Sequence, residues 1–184
     1  MAAPVPNVAP SKVVTFKDWT VGCDNGLACQ AVALMPETLP DGALSVVVTR
    51  AEGATSAPMI ELSGLTSKSD RFRIVIDGKV ADTGVTQVGS ETIKIGGINA
   101  TKLARAMAKG KVMTVIDGAG TDLGTASLSG ASAAFRYTDA EQGRAGSRGA
   151  IIAMGPKMAS AKKAVLPVIA AKRIKPADIL PDAT

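Results

Sequence analysis

The stretch WTVGCDNGLACQA, residues 19–31, places two cysteines six positions apart around an Asn-Gly pair. Alternation of apolar residues predicts one strand over 13–23 and a second strand that begins at Cys29, and Asn-Gly is a strong signal for the turn between them. Cys23 and Cys29 then face each other across a hairpin, within the Cβ separation that a disulfide requires. We therefore predict a Cys23–Cys29 disulfide, with free thiols or a redox-active pair as the alternatives.

Two cysteines and no histidine occur among the 184 residues. Zinc sites in proteins are built mainly from several Cys and His ligands, so we expect no metal site. A Ser-His-Asp triad and a Cys-His dyad are excluded because there is no histidine. The cysteine spacing also differs from the C-x-x-C of thioredoxin-like enzymes. We therefore predict no catalytic residues and no cofactor.

A persistent disulfide indicates an oxidising compartment, which in a bacterial cell is the periplasm. Residues 2–10, AAPVPNVAP, are small and proline-rich, like the residues that follow a signal-peptidase site. We expect an exported, periplasmic protein in which Met1 stands in place of a secretory signal peptide, and we predict that residues 1–12 form a flexible N-terminal segment. A cytosolic start with an unstructured tail is the alternative.

Composition limits how the core can be built. Apolar residues make up 46% of the chain but aromatic residues only 3%, so the core consists of small aliphatic side chains around the single tryptophan, Trp19. The length suits one domain with a normal core. No apolar run approaches the roughly 18 residues that a membrane-spanning helix needs, so we expect no transmembrane segment.

Short segments rich in β-branched residues recur along the chain, and turn residues bound each of them. These predicted strands are 43–50, 57–62, 71–77, 91–95, 111–117 and 123–128, with a final strand, GAIIAM, at 149–154. They do not alternate with long helices, which argues against a parallel sheet. The predicted fold class is mainly β: an antiparallel β-sandwich or barrel-like domain, spanning residues 13–155, with one or two short α-helices.

The first of the two predicted helices is INATKLARAMAKG, 98–110. Asn99 is the predicted N-cap, Leu103 and Met107 lie one turn apart on an apolar face, and Gly110 is expected just beyond the C-terminus. The second helix is SGASAAFRYTDAEQG, 129–143. We predict that it begins at Ser129 or Ser132, turns Ala131, Ala134 and Phe135 to the core, and stops at Gly143.

The strongest candidate for a functional site is TDAEQGRAGSRG, residues 138–149. On a functional interpretation, Asp139, Gln142, Arg144 and Arg148 cluster where the second helix ends, and the arginines offer paired donors to an anionic ligand. On a structural interpretation, Gln142 and Arg144 bind backbone carbonyls at the helix end and Asp139 pairs with an arginine. We favour the structural interpretation, because the dipole at a helix C-terminus disfavours a bound anion.

Other motifs are weaker. IKIGGINAT, residues 93–101, places glycines before a helix, yet the chain contains neither of the glycine-rich phosphate-binding patterns. We interpret it as a strand-to-helix turn. A Ser-Lys hydrolase stays formally open, since both residue types are abundant, but no particular pair is selected by the sequence.

Residues 156–184 are predicted to form a proline-containing, basic linker or tail. Its basic residues are Lys157, Lys162, Lys163, Lys172, Arg173 and Lys175, set against Asp178 and Asp182, so it carries most of the net charge of +5. No stacking aromatic residues accompany these lysines, and we expect no nucleic-acid partner. Weak attraction of the tail to an anionic lipid or polymer surface is an open alternative to a simply solvated linker.

Three segments carry a resemblance to a known family: FKDWTVGCDNGLACQAVAL (16–34), VVVTRAEG (46–53) and FRYTDAEQGRAGSRGAIIAMG (135–155). They resemble DUF1176, a bacterial family of unknown function that is distantly similar to the invasion-associated locus B proteins. The resemblance implies an exported proteobacterial envelope protein with a β-rich fold, and it implies no established activity. Members of the family are usually longer, which implies that this chain is an N-terminal portion ending within a linker.

The function predicted from these features is that of a non-catalytic binding or interaction module in the periplasm. Its partner is an unknown envelope protein or small ligand. The alternative is an enzyme of unrecognised mechanism acting on an envelope substrate. An exposed apolar surface or free strand edge favours the module, whereas a deep pocket with perturbed titratable groups favours the enzyme.

Overall fold

A computed structural model describes residues 12–35, 44–86, 92–158 and 160–164. Most of the predicted N-terminal segment 1–12, the tail beyond residue 164, and the first residues of the strands predicted at 43–50 and 91–95 lie outside these ranges. Ten strands and two helices make up the described part of the chain.

Six antiparallel strands form the first sheet, in the order β1-β2-β3-β4-β5-β8. They are β1 (Val14–Phe16), β2 (Trp19–Cys23), β3 (Cys29–Ala33), β4 (Ser45–Arg50), β5 (Met59–Ser63) and β8 (Thr92–Ile95). The second sheet has the order β10-β9-β6-β7 and is also antiparallel. Its strands are β6 (Arg71–Ile76), β7 (Lys79–Thr86), β9 (Val112–Asp117) and β10 (Asp122–Ser127).

The core lies between the inner faces of the two sheets. Alternate residues of each strand are buried, for example Val46 and Val48 on β4, and Ile74 on β6 beside Val115 on β9. Trp19 is fully buried, packs edge-to-face on Phe135 with ring centroids 5.4 Å apart, and donates its indole N–H to the Ser127 carbonyl over 3.0 Å. This arrangement confirms the predicted antiparallel sandwich. Neither of the helices in the described ranges is long and apolar enough to cross a membrane.

The prediction of one continuous strand over 13–23 is wrong. The chain turns at Lys17 and Asp18, where Lys17 adopts a left-handed conformation with φ of 51°, and β1 pairs back on β2. Apolar and polar residues continue to alternate across this turn, so the sequence pattern alone cannot reveal the turn. The sequence pattern also fails to predict β7, because Asp82 and Gly84 interrupt its run of β-forming residues.

The first helix, α1, spans Gly97–Met107 and buries Leu103 and Met107, as predicted. Its predicted N-cap, Asn99, is wrong: Gly96 is the N-cap, and its carbonyl accepts a hydrogen bond from the Ala100 amide over 3.3 Å. The C-cap is Ala108, so Gly110 lies further out than predicted. A Cβ on Gly110 would collide with Ile76, which explains the glycine by close packing.

The second helix, α2, spans Ala131–Glu141 and turns Ala131, Ala134 and Phe135 to the core, as predicted. Gly143 follows the C-cap with a φ of 69°, which confirms the predicted stop. The predicted start at Ser129 or Ser132 is wrong, since the N-cap is Gly130. Its φ is 102°, and a Cβ there would collide with the Phe16 carbonyl oxygen. Close approach to β1 therefore overrides the preference for a serine cap.

The strand predicted at 149–154 is absent from the described residues, where this segment forms a series of bends. The amides of Ile151, Ile152 and Ala153 all donate to the Asp139 carboxylate, at 2.8, 2.9 and 3.0 Å. Donors that converge on one side chain cannot alternate along a sheet ladder. The segment after it contacts the rest of the domain again. Lys157 forms an isolated β-bridge with Ser147, and the Lys162 amide donates to the Gln142 carbonyl over 2.9 Å.

Asp117 organises the turn between β9 and β10. Its carboxylate accepts hydrogen bonds from the Thr121 amide at 2.8 Å, the Ala119 amide at 2.9 Å and the Ser67 hydroxyl at 2.9 Å. The pKa of Asp117 lies below its usual range. The hydrogen bond from Thr121 contributes most to this decrease, the bonds from Ser67 and Ala119 contribute less, and burial acts in the opposite direction.

Asp117→Asn is expected to lower the melting temperature at pH 7. Because the folded-state pKa is depressed, the stabilisation by the wild-type carboxylate is complete above the ordinary pKa of 3.8 and disappears as the pH falls through the lower folded-state pKa. Melting curves recorded between pH 7 and pH 2 should therefore converge in acid. Asp122→Asn is the matched control, with a smaller effect, because Asp122 accepts one amide, from Gly124 at 3.0 Å, within the described chain. Parallel curves at every pH would contradict the assignment.

Candidate functional site

Asp139 lies in the last turn of α2 with its side chain fully buried. Besides the three amides of Ile151, Ile152 and Ala153, its carboxylate accepts a hydrogen bond from Nη1 of Arg50 over 3.1 Å. Four hydrogen bonds from the protein replace the water that would otherwise surround this carboxylate. Asp139 thereby fixes the segment 151–153 against the end of α2.

Arg50 is the last residue of β4 and is the charged partner of Asp139, with 5% of its side chain exposed. Its Nε donates to the Ser56 carbonyl over 2.9 Å and its Nη2 donates to the Gly149 carbonyl. Burial lowers the pKa of Arg50 to about 10, with the charge of Arg144 acting in the same direction and Asp139 opposing both. Arg50 therefore stays protonated at neutral pH and links β4 to the segment after α2.

Gln142 and Arg144 continue the same buried group with hydrogen bonds to backbone carbonyls. The side-chain amide of Gln142 donates to the carbonyls of Leu27, Arg50 and Ala51 at 2.7, 3.1 and 3.3 Å. Arg144 donates from Nη1 to Ser56 at 3.0 Å and from Nη2 to Ala51 at 3.1 Å. These carbonyls belong to the β2–β3 turn, the end of β4 and the loop after it, and not to the end of α2 as the structural interpretation proposed.

The four residues Arg50, Asp139, Gln142 and Arg144 are called the polar cluster below. Burial lowers the pKa of Arg144, while Asp139 acts to raise it. Within the described residues, Gln142 Oε1 and Arg144 Nε are buried without a hydrogen-bond partner. All four side chains are almost inaccessible to solvent, so their donors, including the unpaired Nε of Arg144, are closed to an external anion.

Arg148 is not part of the polar cluster. Its side chain is exposed, although its amide donates to the Lys157 carbonyl over 3.0 Å. The arginine that pairs with Asp139 is Arg50, whereas an interpretation restricted to residues 138–149 assigns this role to Arg144 or Arg148. One sequence signal could have found it: Val46, Val48 and Arg50 alternate, so a basic residue stands at an inward position of β4 and requires a buried partner.

Cys23 and Cys29 form a disulfide across the β2–β3 hairpin, and this confirms the prediction. The two residues are register partners, with Cα atoms 4.0 Å apart. The turn they enclose is braced by Asp24, whose carboxylate accepts the Ala28 amide over 2.9 Å, and by the bond from Gln142 to Leu27. The disulfide and the polar cluster therefore hold the same turn.

The double replacement Cys23→Ala/Cys29→Ala is expected to lower the free energy of unfolding by about 2–2.5 kcal/mol, the chain-entropy value for so small a loop. Denaturant unfolding of the variant and of the oxidised wild type measures the difference. Thiol titration of the native wild type without reductant should find no free thiol. Two reactive thiols would contradict the disulfide.

The solvent side of the first sheet carries a concavity that we call the outer-face groove. Its volume is about 620 Å³. Thr20, Gly22, Gln30, Val32 and Thr49, which alternate with the buried residues of β2, β3 and β4, form its floor. The disulfide, Ala28 and Ala51 form its rim at one end, and Val13 lies at the other side.

In the described ranges, no three Cys, Asp or Glu side chains are grouped so that they could hold a metal ion. Serine hydroxyls that make hydrogen bonds in these ranges contact carboxylates, backbone carbonyls or backbone amides, as Ser67 contacts Asp117 and Ser147 accepts the Gly149 amide, and none contacts a lysine amine.

Two antiparallel sheets, a disulfide-closed hairpin and an internal arginine–aspartate cluster define the class: a disulfide-bonded β-sandwich domain whose buried polar residues hold its loops together. Within that class, the chain belongs to the family described as protein of unknown function (DUF1176), whose family model matches residues 13–183. This confirms the resemblance given by the sequence. No curated protein matches the chain.

Among solved structures, the crystal structure of invasion associated protein B from Bartonella henselae matches with a TM-score of 0.51 and 17% sequence identity. The match covers 72% of this chain and 99% of that chain. At this identity the similarity shows a shared fold.

Proposed function

We propose that this chain is a non-catalytic binding or interaction module of the bacterial periplasm. Its partner is an envelope protein, and the outer-face groove is its contact surface. The polar cluster keeps the domain folded and takes no part in chemistry.

One observation carries the proposal: all of the residues in the polar cluster are buried and directed at the protein's own backbone or at one another. The residues with the greatest capacity for acid–base or anion chemistry are therefore used for the fold. An active site requires the opposite, since reacting groups must reach a substrate. The outer-face groove, by contrast, is open to solvent and is lined mainly by uncharged side chains.

The periplasmic location is supported by the Cys23–Cys29 disulfide, because such bonds persist mainly in oxidising compartments. This feature fits an exported protein.

In-cell crosslinking of the exported protein, followed by affinity capture and mass spectrometry, tests the proposal. The same chain kept in the cytosol without a signal peptide is the matched control. We expect a reproducible envelope protein that is captured only with the exported form and is displaced by excess purified domain. Recovery of a small metabolite alone would overturn the proposal in favour of an enzyme.

A further inference from the structure

We propose that the segment after the buried loop 149–153 is a contact surface for a membrane that carries anionic phospholipid headgroups. The segment comprises residues 154–158 and 160–163, which lie along residues 142–148 and are called the basic strap below. No residue of the strap lines the outer-face groove, so this inference is separate from the proposed function. It follows from the position of the strap, its charge and its exposed apolar side chains.

Backbone hydrogen bonds fix the basic strap against the body of the domain. The Lys157 amide donates to the Gly146 carbonyl over 3.3 Å, and the Lys157 carbonyl accepts the Arg148 amide over 3.0 Å. Further along, the Lys162 amide donates to the Gln142 carbonyl over 2.9 Å. The strap is therefore attached at two points, and its basic residues lie on the same part of the surface as Arg148.

Two glycines in the underlying segment leave room for lysine side chains of the strap. Both glycines have a positive φ, 69° at Gly143 and 76° at Gly146. A Cβ on Gly143 would lie 2.8 Å from Cγ of Lys162, and a Cβ on Gly146 would lie 3.9 Å from Nζ of Lys157. The aliphatic stems therefore lie against backbone, while both lysines stay exposed. Long basic side chains commonly pack in this way with the charged end in water.

The surface formed by the strap and Arg148 carries positive charge only. Its exposed basic residues are Arg148, Lys157, Lys162 and Lys163. Residues 142–177 contain no Asp or Glu. Among the described residues, none of these four cations forms an ion pair with a carboxylate, including that of Glu141 at the end of α2. Clusters of about four to eight basic residues are typical of surfaces that bind anionic lipid headgroups.

Exposed apolar side chains on the strap favour a lipid surface over a soluble polyanion. Met158, which directly follows Lys157, is 78% exposed, more than any other large apolar residue in the described ranges, and Met154 is 54% exposed. A flexible thioether side chain can enter the boundary between headgroups and acyl chains beside lysines that bind phosphate. Nucleic acid is disfavoured, because residues 138–184 contain no aromatic side chain on which bases could stack.

Sedimentation of the oxidised chain with phospholipid vesicles tests the inference. One type of vesicle contains phosphatidylglycerol and phosphatidylethanolamine, and the other contains phosphatidylcholine alone. We expect binding to the anionic vesicles to be about tenfold or more tighter than binding to the zwitterionic vesicles. We also expect it to weaken as salt is added, because salt screens exposed charges.

The triple variant Lys157→Gln/Lys162→Gln/Lys163→Gln removes charge at exposed positions, so the fold should be retained. Its affinity for the anionic vesicles is expected to fall about a hundredfold, since each basic residue near such a surface contributes roughly a factor of five. The matched control, Arg73→Gln/Lys79→Gln/Lys111→Gln, removes the same charge from exposed positions on or next to the second sheet. Its affinity should stay within about threefold of the wild type. Melting temperatures verify that both variants fold.

Met158→Ser separates a lipid surface from a soluble polyanion, for which polyphosphate is the comparison ligand. The variant should bind the anionic vesicles about threefold or more weakly, because less apolar area enters the bilayer, and it should bind polyphosphate like the wild type.

Equal affinity of the wild type for both types of vesicle, or equal losses in the two triple variants, would overturn the inference. Tighter binding to polyphosphate than to the anionic vesicles would also overturn it, in favour of a soluble polyanion. The vesicle assay contains no second protein, so its failure leaves the proposed envelope partner unaffected.

Discussion

Asp139→Asn is expected to lower the free energy of unfolding by about 3–5 kcal/mol, the range measured when one member of a buried ion pair is removed. The substitution removes the charge that compensates Arg50. It also replaces one acceptor oxygen with an NH₂ group, which cannot accept the hydrogen bonds that the replaced oxygen receives from the amides of 151–153. A loss of this size is a large part of the 5–15 kcal/mol by which a typical domain is stable.

Chemical denaturation of the purified oxidised domain measures this effect. Asp24→Asn is the matched control, because Asp24 is exposed and its carboxylate accepts one amide, from Ala28, in the described chain. The control should change stability by about 1 kcal/mol or less. The double variant Arg50→Met/Asp139→Asn should not recover full stability, since the amides of 151–153 still lack their charged acceptor. A loss below about 1 kcal/mol for Asp139→Asn would contradict the role of this carboxylate.

Arg144→Ala is expected to cost roughly 3 kcal/mol. It removes two charge-assisted hydrogen bonds, to Ser56 and Ala51, together with the packing of a fully buried side chain. Arg144→Lys should fall between alanine and the wild type, because one ammonium group cannot reproduce the fork of a guanidinium.

Arg148→Ala is the internal control for this series, since Arg148 lies in the same sequence motif but is exposed. Its effect should stay within about 0.5 kcal/mol, as for most surface substitutions. Thermal melting followed by circular dichroism is sufficient for the comparison. Equal losses for the two arginines would show that burial does not distinguish them. Unchanged melting for Arg144→Ala with lost partner binding would restore the anion-site interpretation.

Local patterns were enough to predict much of the fold. Inward alternation gives most of the strands, and the hairpin around Asn25-Gly26 brings the two cysteines together. The apolar faces of both helices are also read from spacing alone, because Leu103 and Met107, or Ala134 and Phe135, must point the same way on a helix.

The errors occur where distant parts of the chain meet. Gly130 replaces the expected serine cap because Phe16 approaches it, and GAIIAM is not a strand because its amides turn to Asp139. The partner of Asp139 is Arg50, 89 positions away. Spacing within a sequence segment gives no information about such distant contacts. The motif D-x-x-Q-G-R therefore identifies its polar residues but not the carbonyls that they bind.

The most direct test of the whole account measures melting temperature and partner capture on the same four proteins: wild type, Arg144→Lys, Gln30→Lys and Thr125→Lys. The account predicts that Arg144→Lys melts at a lower temperature and still captures the partner below its melting range. Gln30→Lys places a charge at an exposed position on the floor of the outer-face groove, so it should melt like the wild type and lose capture. Thr125→Lys places the same charge at an exposed position on the second sheet and should change neither property. Loss of capture by Arg144→Lys without a change in melting temperature, together with normal capture by Gln30→Lys, would contradict it.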